Sequence, residues 1–118
     1  MKIEKPMTEN QKYYGNMLYS FLMHNDVVTK EQMLEHLGWD SKKDRQLRDL
    51  LSLIGKKRPL ISTSDSKGYK IAKTPKDLEE VKHQWKELDS RIEQLKERRK
   101  PLIDFYEKFW NSVDNIFG

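Results

Sequence analysis

The sequence predicts a mainly helical α+β fold, with three short helices and a small β-hairpin followed by a long helical tail. Apolar residues recur at helical spacing in three separate stretches before residue 56. Two short runs rich in β-branched and aromatic residues, 59–63 and 69–73, flank a loop of turn-forming residues. From residue 78 onward, apolar residues repeat every three or four positions. We therefore divide the chain into an amino-terminal arm (1–7), a first domain (8–73) and a carboxy-terminal helical region (74–118).

The first helix is predicted to begin after Thr8, because a threonine followed three residues later by Gln11 forms a capping box. Residues 1–7 before it form a loose arm, since Pro6 discourages any helix that would precede it. The helix ends near residues 24–26. Its buried face carries the apolar residues Tyr14, Met17, Leu18, Phe21 and Leu22.

Two further helices follow in quick succession. Thr29 and Gln32 form a second capping box, and Gly38 ends this helix where a left-handed residue is least costly. The next helix, 41–54, is predicted to begin at Ser41, with Gly55 after its last apolar residue. One face of it is an apolar stripe: Leu47, Leu50, Leu51 and Ile54. The opposite face is polar and mostly basic: Lys42, Lys43, Arg45, Gln46, Arg48, Asp49 and Ser52.

Positive charge is concentrated in the middle of the chain. The whole chain has a net charge of +4, whereas residues 38–73 alone reach +6, from ten basic and four acidic side chains. The flanking segments are each slightly negative. The excess therefore coincides with the third helix and the hairpin, which favours contact with a polyanion over a merely solvated helix face.

This order of elements resembles the winged helix-turn-helix module at the amino end of biotin-operon-type repressors, and small regulators of phages and mobile elements. The resemblance covers residues 19–73, with Leu37-Gly38 at the turn, Asp44 to Leu51 in the recognition helix, and Lys67 to Ile71 in the wing. It implies that Val27-Val28 forms a short third strand beside the hairpin. Trp39-Asp40 departs from the repressor pattern, and no ligand-binding domain follows, which weighs against control by a small molecule.

The resemblance implies a sequence-selective protein that binds double-stranded DNA, as a transcriptional regulator or a phage or mobile-element factor. Helix 41–54 would enter the major groove, and wing 62–70 would touch the backbone. Arg45, Gln46, Arg48 and Lys42 would face base edges. The remaining predicted DNA-binding residues would hold phosphates: Lys43, Lys56, Lys57, Lys67 and Lys70.

The carboxy-terminal region is predicted to be a device for homodimerisation. It begins at Thr74-Pro75, a threonine cap followed by a proline at the first helical position. Its seam at heptad spacing comprises Leu78, Val81, Trp85, Leu88, Ile92, Leu95, Leu102, Tyr106 and Phe109, and continues to Val113 and Ile116. Pro101 leaves two possibilities open, one kinked helix or a helical hairpin with its corner at 98–101. The alternative to a dimer is that the aromatic residues cover the first domain of their own chain.

Little in the sequence suggests catalysis. The three histidines are far apart and lack partners at metal-ligand spacing, and neither a glycine-rich phosphate loop nor a nucleophile elbow is present. We therefore predict no enzyme activity, no catalytic or metal-binding residues and no cofactor. The absence of cysteine and of any long apolar run predicts a cytoplasmic protein without a membrane partner. The resemblance implies that this is the cytoplasm of a bacterium or of a phage-infected host. An alternative function is a protein-interaction module that binds a host protein through the aromatic-rich tail.

Overall fold

The structure, a computed structural model of the chain, describes residues 5–63 and 68–113, and for 110–113 the backbone alone. It is mainly helical, with one small antiparallel hairpin and a long carboxy-terminal helix. This confirms the coarse prediction from the sequence. In chain order, the elements are α1 (Glu9–His24), α2 (Lys30–Leu37), α3 (Asp44–Gly55), β1 (Leu60–Ser62), β2 (Tyr69–Ile71) and α4 (Leu78–Val113). The chain divides into two compact units, 1–82 and 83–118, with the division inside α4.

Side-chain and glycine caps set the ends of the first two helices as the sequence predicts. Thr8 and Thr29 each accept a hydrogen bond from the backbone N–H three residues on, at 3.1 Å. Gln11 and Gln32 each accept one in return from the backbone N–H of the threonine, at 2.9 Å. Gly38 ends α2 in the left-handed conformation, with φ of 71°. These caps fix the short connections on either side of α2.

The prediction that Ser41 caps the third helix is wrong. Asp40, not Ser41, has the extended backbone of a cap, and its carboxylate accepts from the backbone N–H of Lys42 at 2.9 Å. A single 3₁₀ turn, Ser41–Lys43, then leads into α3. Both residue types are good caps. The structure uses the one that lies one residue earlier.

The first unit has one core, formed where α1, α2 and α3 meet the hairpin. The predicted apolar stripe of α3 is buried, and so are Met33, Leu34 and Leu37 of α2. Of the α1 stripe, Leu18 and Leu22 are fully buried, whereas the larger Tyr14, Met17 and Phe21 are half-buried at the edge. The buried apolar set is Leu18, Leu22, Val28, Met33, Leu34, Leu37, Leu47, Leu50, Leu51, Ile54, Ile61 and Ile71.

The hairpin pairs Leu60 with Ile71 and Ser62 with Tyr69 in antiparallel register. Val28 adds one further antiparallel bridge to Tyr69, through two backbone hydrogen bonds of 2.9 Å. This bridge lies where a third strand is expected, and it is a single residue pair. Gly68 permits the close approach, because a Cβ at that position would overlap the carbonyl oxygen of Val28.

The carboxy-terminal region is one continuous α-helix, not a hairpin. A 3₁₀ turn, Pro75–Asp77, leads into α4, which runs for 36 residues with Pro101 inside it. A proline in a helix interior lacks the N–H that would bond the carbonyl four residues earlier. The residues around it, Lys96 to Lys100 and Leu102, are mostly strong helix formers, and they carry the helix through this defect.

Candidate nucleic-acid interface

The basic face of α3 is held in place by the apolar stripe on the opposite side of the same helix. Leu47 and Leu50 are almost completely buried against the rest of the core, so α3 has one orientation on the first unit. The predicted polar side chains therefore point to solvent. Lys42, Lys43, Arg45, Gln46 and Arg48 are all exposed, and they lie together over the 3₁₀ turn and the first half of α3.

Aromatic packing supports the start of this surface. Trp39, half-buried in the connection before the 3₁₀ turn, packs on Tyr14 of α1 with ring centroids 4.9 Å apart. The ammonium of Lys43 lies 5.4 Å from the centre of the Trp39 ring. Lys43 therefore carries its charge above an aromatic face, an arrangement that restrains the side chain without neutralising it.

Lys30, which was not predicted to bind DNA, adds a further cation to this surface. It is the first residue of α2, and its ammonium lies 3.2 Å from Asp44 at the start of α3. Asp44 also meets Arg48 one turn along α3, at 3.3 Å. The carboxylate thus lies between two cations. Because Lys30 and Asp44 are on different helices, the packing of both α2 and α3 on α1 brings them together.

Lys56 and Lys57 lie at the other end of α3. They follow its last residue and are exposed, about 20 Å along the helix from Lys43 at 1.5 Å per residue. Lys57 and Arg58 line an open groove of about 390 Å³ between α1 and the end of α3. Arg58 donates to the hydroxyl of Tyr19 at 3.2 Å, across that groove. The structure therefore separates the predicted phosphate-binding lysines into two groups.

Lys70 has structural partners in the folded chain, which count against its predicted contact with a DNA phosphate. Its ammonium lies 2.6 Å from Asp77 and 3.1 Å from Asp26, and only 19% of its side chain is exposed. The hydrogen bond to Asp77, and a second one to Asp26, raise the pKa of Lys70 above its usual value. A lysine held between two carboxylates has little charge left to offer a phosphate.

Asp77 joins the hairpin to the start of α4. Besides the bond from Lys70, its carboxylate accepts from the backbone N–H of Lys73 at 2.9 Å and of Thr74 at 3.3 Å. These donors lower the pKa of Asp77 to about 2, with the bond from Lys70 as the largest cause. The residue is buried. Asp77 therefore fixes the end of β2 against the turn that begins the last helix.

Lys67, the remaining predicted DNA-binding residue, lies outside the described residues. Within the described ones, histidine and acidic side chains do not gather in groups of three that would hold a metal ion. None of the described helices is both long and apolar enough to span a membrane. Comparisons with protein-family models, with curated proteins and with solved structures found no match.

Proposed function

We propose that this chain is a sequence-selective double-stranded DNA-binding protein, a dimeric regulator or a phage or mobile-element factor, built on a winged helix-turn-helix. The observation that carries the proposal is the exposed basic half of α3, held in one orientation by a buried stripe. An α-helix of this kind fits the major groove, which is about 12 Å wide. The basic side chains then lie where phosphates and base edges are within reach.

The arrangement of the first unit supports the winged-helix part of the proposal. Three helices precede a two-stranded hairpin, and the segment between α1 and α2 bridges to that hairpin at Val28. Gly38 gives the short turn between α2 and the segment that begins α3. In this arrangement α3 is the recognition helix, and the hairpin that follows it carries the predicted wing, 62–70.

Within this interface, Arg45 and Gln46 are the base-reading residues. A guanidinium donates two hydrogen bonds to guanine, and a glutamine side chain pairs with adenine through one donor and one acceptor. Neither residue is in an ion pair with another described residue. Arg48 is oriented by Asp44, which positions it to bind either a base edge or a phosphate.

Lysines around α3 supply the phosphate contacts. Lys43 lies at its start, and Lys30 reaches the same region from α2. Lys56 and Lys57 would contact phosphates farther along the duplex, beyond the other end of the helix. Each phosphate that a lysine neutralises releases counterions, so affinity should fall steeply as salt is raised.

The test is selection of bound sequences from a random duplex pool, followed by affinity measurements across a salt series. We expect an enriched inverted repeat. Arg45→Ala should weaken binding to the selected site by about 10- to 100-fold and relax specificity at one position. Lys43→Ala should weaken all sequences alike and reduce the salt slope by about one.

Lys86→Ala is the matched control, because Lys86 is an exposed lysine that lies on α4, off the seam and outside the groove lined by Lys57. It should leave both affinity and salt slope unchanged. If the pool shows no enrichment and affinity is negligible at low salt, the DNA-binding proposal fails. It also fails if Arg45→Ala and Lys43→Ala reduce affinity equally on every sequence.

A second candidate function is binding of a host protein through α4, and the exposed apolar residues of that helix favour it. Leu102, Ile103 and Phe105 are all exposed near its carboxy-terminal end. Charge reversal at Lys42, Lys43 and Arg48 separates the two functions. It should abolish binding to the selected duplex if α3 carries the function, and leave binding of a partner protein intact if α4 does.

A further inference from the structure

The predicted seam of α4 is exposed along most of its length. Eight of its residues have between 47% and 72% of their surface exposed, and Val81 is half-buried: the eight are Leu78, Trp85, Leu88, Ile92, Leu95, Leu102, Tyr106 and Phe109. They share one face because they alternate at spacings of three and four. Arg99 is the only charged residue at a seam position between them. A continuous apolar face of this length marks an interaction surface.

We infer that a second copy of this chain covers the seam, and that the two α4 helices run antiparallel, centred between residues 93 and 94. This inference rests on the dimeric arrangement in the proposed function. The narrow face fits one partner helix, since it consists of the two seam positions per heptad that a two-stranded coiled coil uses. The charges on and beside the seam then decide the direction of the partner.

Arg99 is the first argument for the antiparallel direction. In a parallel pair in register, each seam residue meets its own copy, so two Arg99 guanidinium groups would meet inside the interface. Like charges brought together in a desolvated interface repel. In the antiparallel pair, Arg99 lies opposite the partner's Leu88. Its aliphatic stem can pack there while the guanidinium reaches solvent.

The side chains that flank the seam give the second argument. Asp89 and Lys96 lie along one edge, and Arg91 and Arg98 lie along the other. A parallel pair brings opposite edges together, so Arg91 would face the partner's Lys96 twice per dimer, with no attractive pair of charges to offset it. Parallel pairing is therefore electrostatically unfavourable at its centre.

An antiparallel pair brings like edges together. Asp89 then faces the partner's Lys96 twice, and these attractive contacts offset two repulsive ones between Arg91 and the partner's Arg98. The same register places every seam residue from 78 to 109 opposite a seam residue of the partner. Leu78 lies opposite the partner's Phe109 at the ends, and Ile92 opposite the partner's Leu95 near the centre. Other registers leave part of the seam exposed.

Disulfide trapping tests the direction, and the natural chain has no cysteine to interfere. Trp85→Cys and Leu102→Cys are prepared as separate chains with tags of different mass. In the antiparallel pair, residue 85 faces the partner's residue 102, so oxidation should cross-link the mixture and neither variant alone. Residues 85 and 102 are about 25 Å apart in a parallel pair. Cross-linking of each variant with itself would therefore overturn the proposal.

A charge reversal tests the register without removing any seam residue. Asp89→Lys should weaken the dimer by about tenfold, because it replaces two attractive contacts by two repulsive ones. Glu97→Lys is the matched control: it makes the same change of charge on the outer face of α4 and should leave association unchanged. Sedimentation equilibrium measures the dissociation constant of each variant.

Both experiments use the full-length protein without DNA, so their result is independent of whether α3 binds a duplex. A wild-type chain that sediments as a monomer at every concentration tested would overturn the inference. DNA binding by α3 would then still be tested separately, by the selection of bound duplexes. Equal association of wild type and Asp89→Lys would also overturn it. Failure of duplex binding with the antiparallel dimer intact would refute the proposed function alone.

Discussion

Helices α3 and α4 carry the same kind of apolar pattern, and the two patterns have different fates in the folded chain. The α3 stripe is buried under α1, α2 and the hairpin, and Leu47 retains 1% of its exposure. The α4 seam remains exposed along the single chain, with Leu88 at 47%. Periodic apolar residues predict that a helix face will be covered. They do not say whether the cover comes from the same chain.

The two helices therefore contribute in different ways. Burial of the α3 stripe stabilises the first unit and, as a consequence, fixes the orientation of the basic face opposite it. The exposed α4 seam contributes stability only when another molecule covers it, so its contribution depends on concentration. In the proposed protein, α3 gives the contact with DNA and α4 brings two such contacts together.

Truncation of one leucine in each helix gives the largest expected contrast. Leu47→Ala should reduce the free energy of unfolding of the first unit by about 2–5 kcal/mol, because it leaves a cavity in a packed core. Leu88→Ala should leave that quantity nearly unchanged and weaken dimerisation instead. Urea unfolding followed by Trp39 fluorescence, with Trp85 and Trp110 replaced by Phe, measures the first unit alone. Equal losses from the two truncations would contradict the contrast.

The backbone contact between Gly68 and Val28 gives the next largest effect. Gly68→Ala should destabilise the first unit by about 1–3 kcal/mol, because the new methyl group would overlap the carbonyl of Val28 and force the hairpin away. The amides of Val28 and Tyr69 should then exchange faster with solvent, which hydrogen exchange by NMR detects. Unchanged exchange at both residues would mean that the hairpin tolerates the added methyl without moving.

Local features of this fold could be predicted from the sequence, and long-range ones could not. Thr8, Thr29 and Gly38 act within three or four residues of themselves, so their caps follow from short motifs. Asp40 replaces Ser41 as a cap because two adjacent residues are both suited to the position. The sequence left two possibilities open at Pro101 for a similar reason. Both a kinked helix and a helical hairpin are consistent with a proline at that position.

In the candidate site too, local features could be predicted from the sequence and long-range contacts could not. The exposed face of α3 follows from its periodicity. The five residues predicted to bind DNA at this face lie together in the structure: Lys42, Lys43, Arg45, Gln46 and Arg48. Lys70 follows the pattern of a wing lysine, yet it pairs with Asp26 and Asp77, which only the folded chain brings near it. Lys30 joins the surface because α2 and α3 both pack on α1, which brings Lys30 to Asp44. Such contacts join distant parts of the sequence, so one sequence read alone does not contain them.

The Asp77 carboxylate should make stability depend on acid pH. Its pKa is about 2 in the folded chain, against 3.8 for the ordinary group. A lowered pKa stabilises the fold above the ordinary value, so the free energy of unfolding should fall as the pH is lowered from about 4 to about 2. Asp77→Asn should be less stable at neutral pH and should show a flatter profile over that interval, measured by urea unfolding at a series of pH values.

Asp26→Asn is the control for Asp77. Asp26 meets the same ammonium of Lys70, but its side chain is 82% exposed and an exposed ion pair contributes little to stability. The profile of Asp26→Asn should therefore retain the slope of the wild type. The assignment to Asp77 would be wrong if the dependence of stability on pH were flattened in Asp26→Asn and kept its wild-type slope in Asp77→Asn. The acid-sensitive contact would then be that of the exposed Asp26.

The smallest expected effect has the opposite sign. Gly15 lies inside α1, where a Cβ would meet Leu50 and Met7 at 3.8 Å, an ordinary contact distance. Gly15→Ala should therefore stabilise the first unit by about 0.5–1 kcal/mol, because alanine restricts the unfolded chain and favours the helix. Gly38→Ala, at a φ of 71°, should destabilise it by about 1–2 kcal/mol. A thermal melt should show a rise of roughly 2–8 °C for Gly15→Ala and a fall of roughly 4–16 °C for Gly38→Ala. A lower melting temperature for Gly15→Ala would mean that α1 and α3 pack too closely for one additional methyl group.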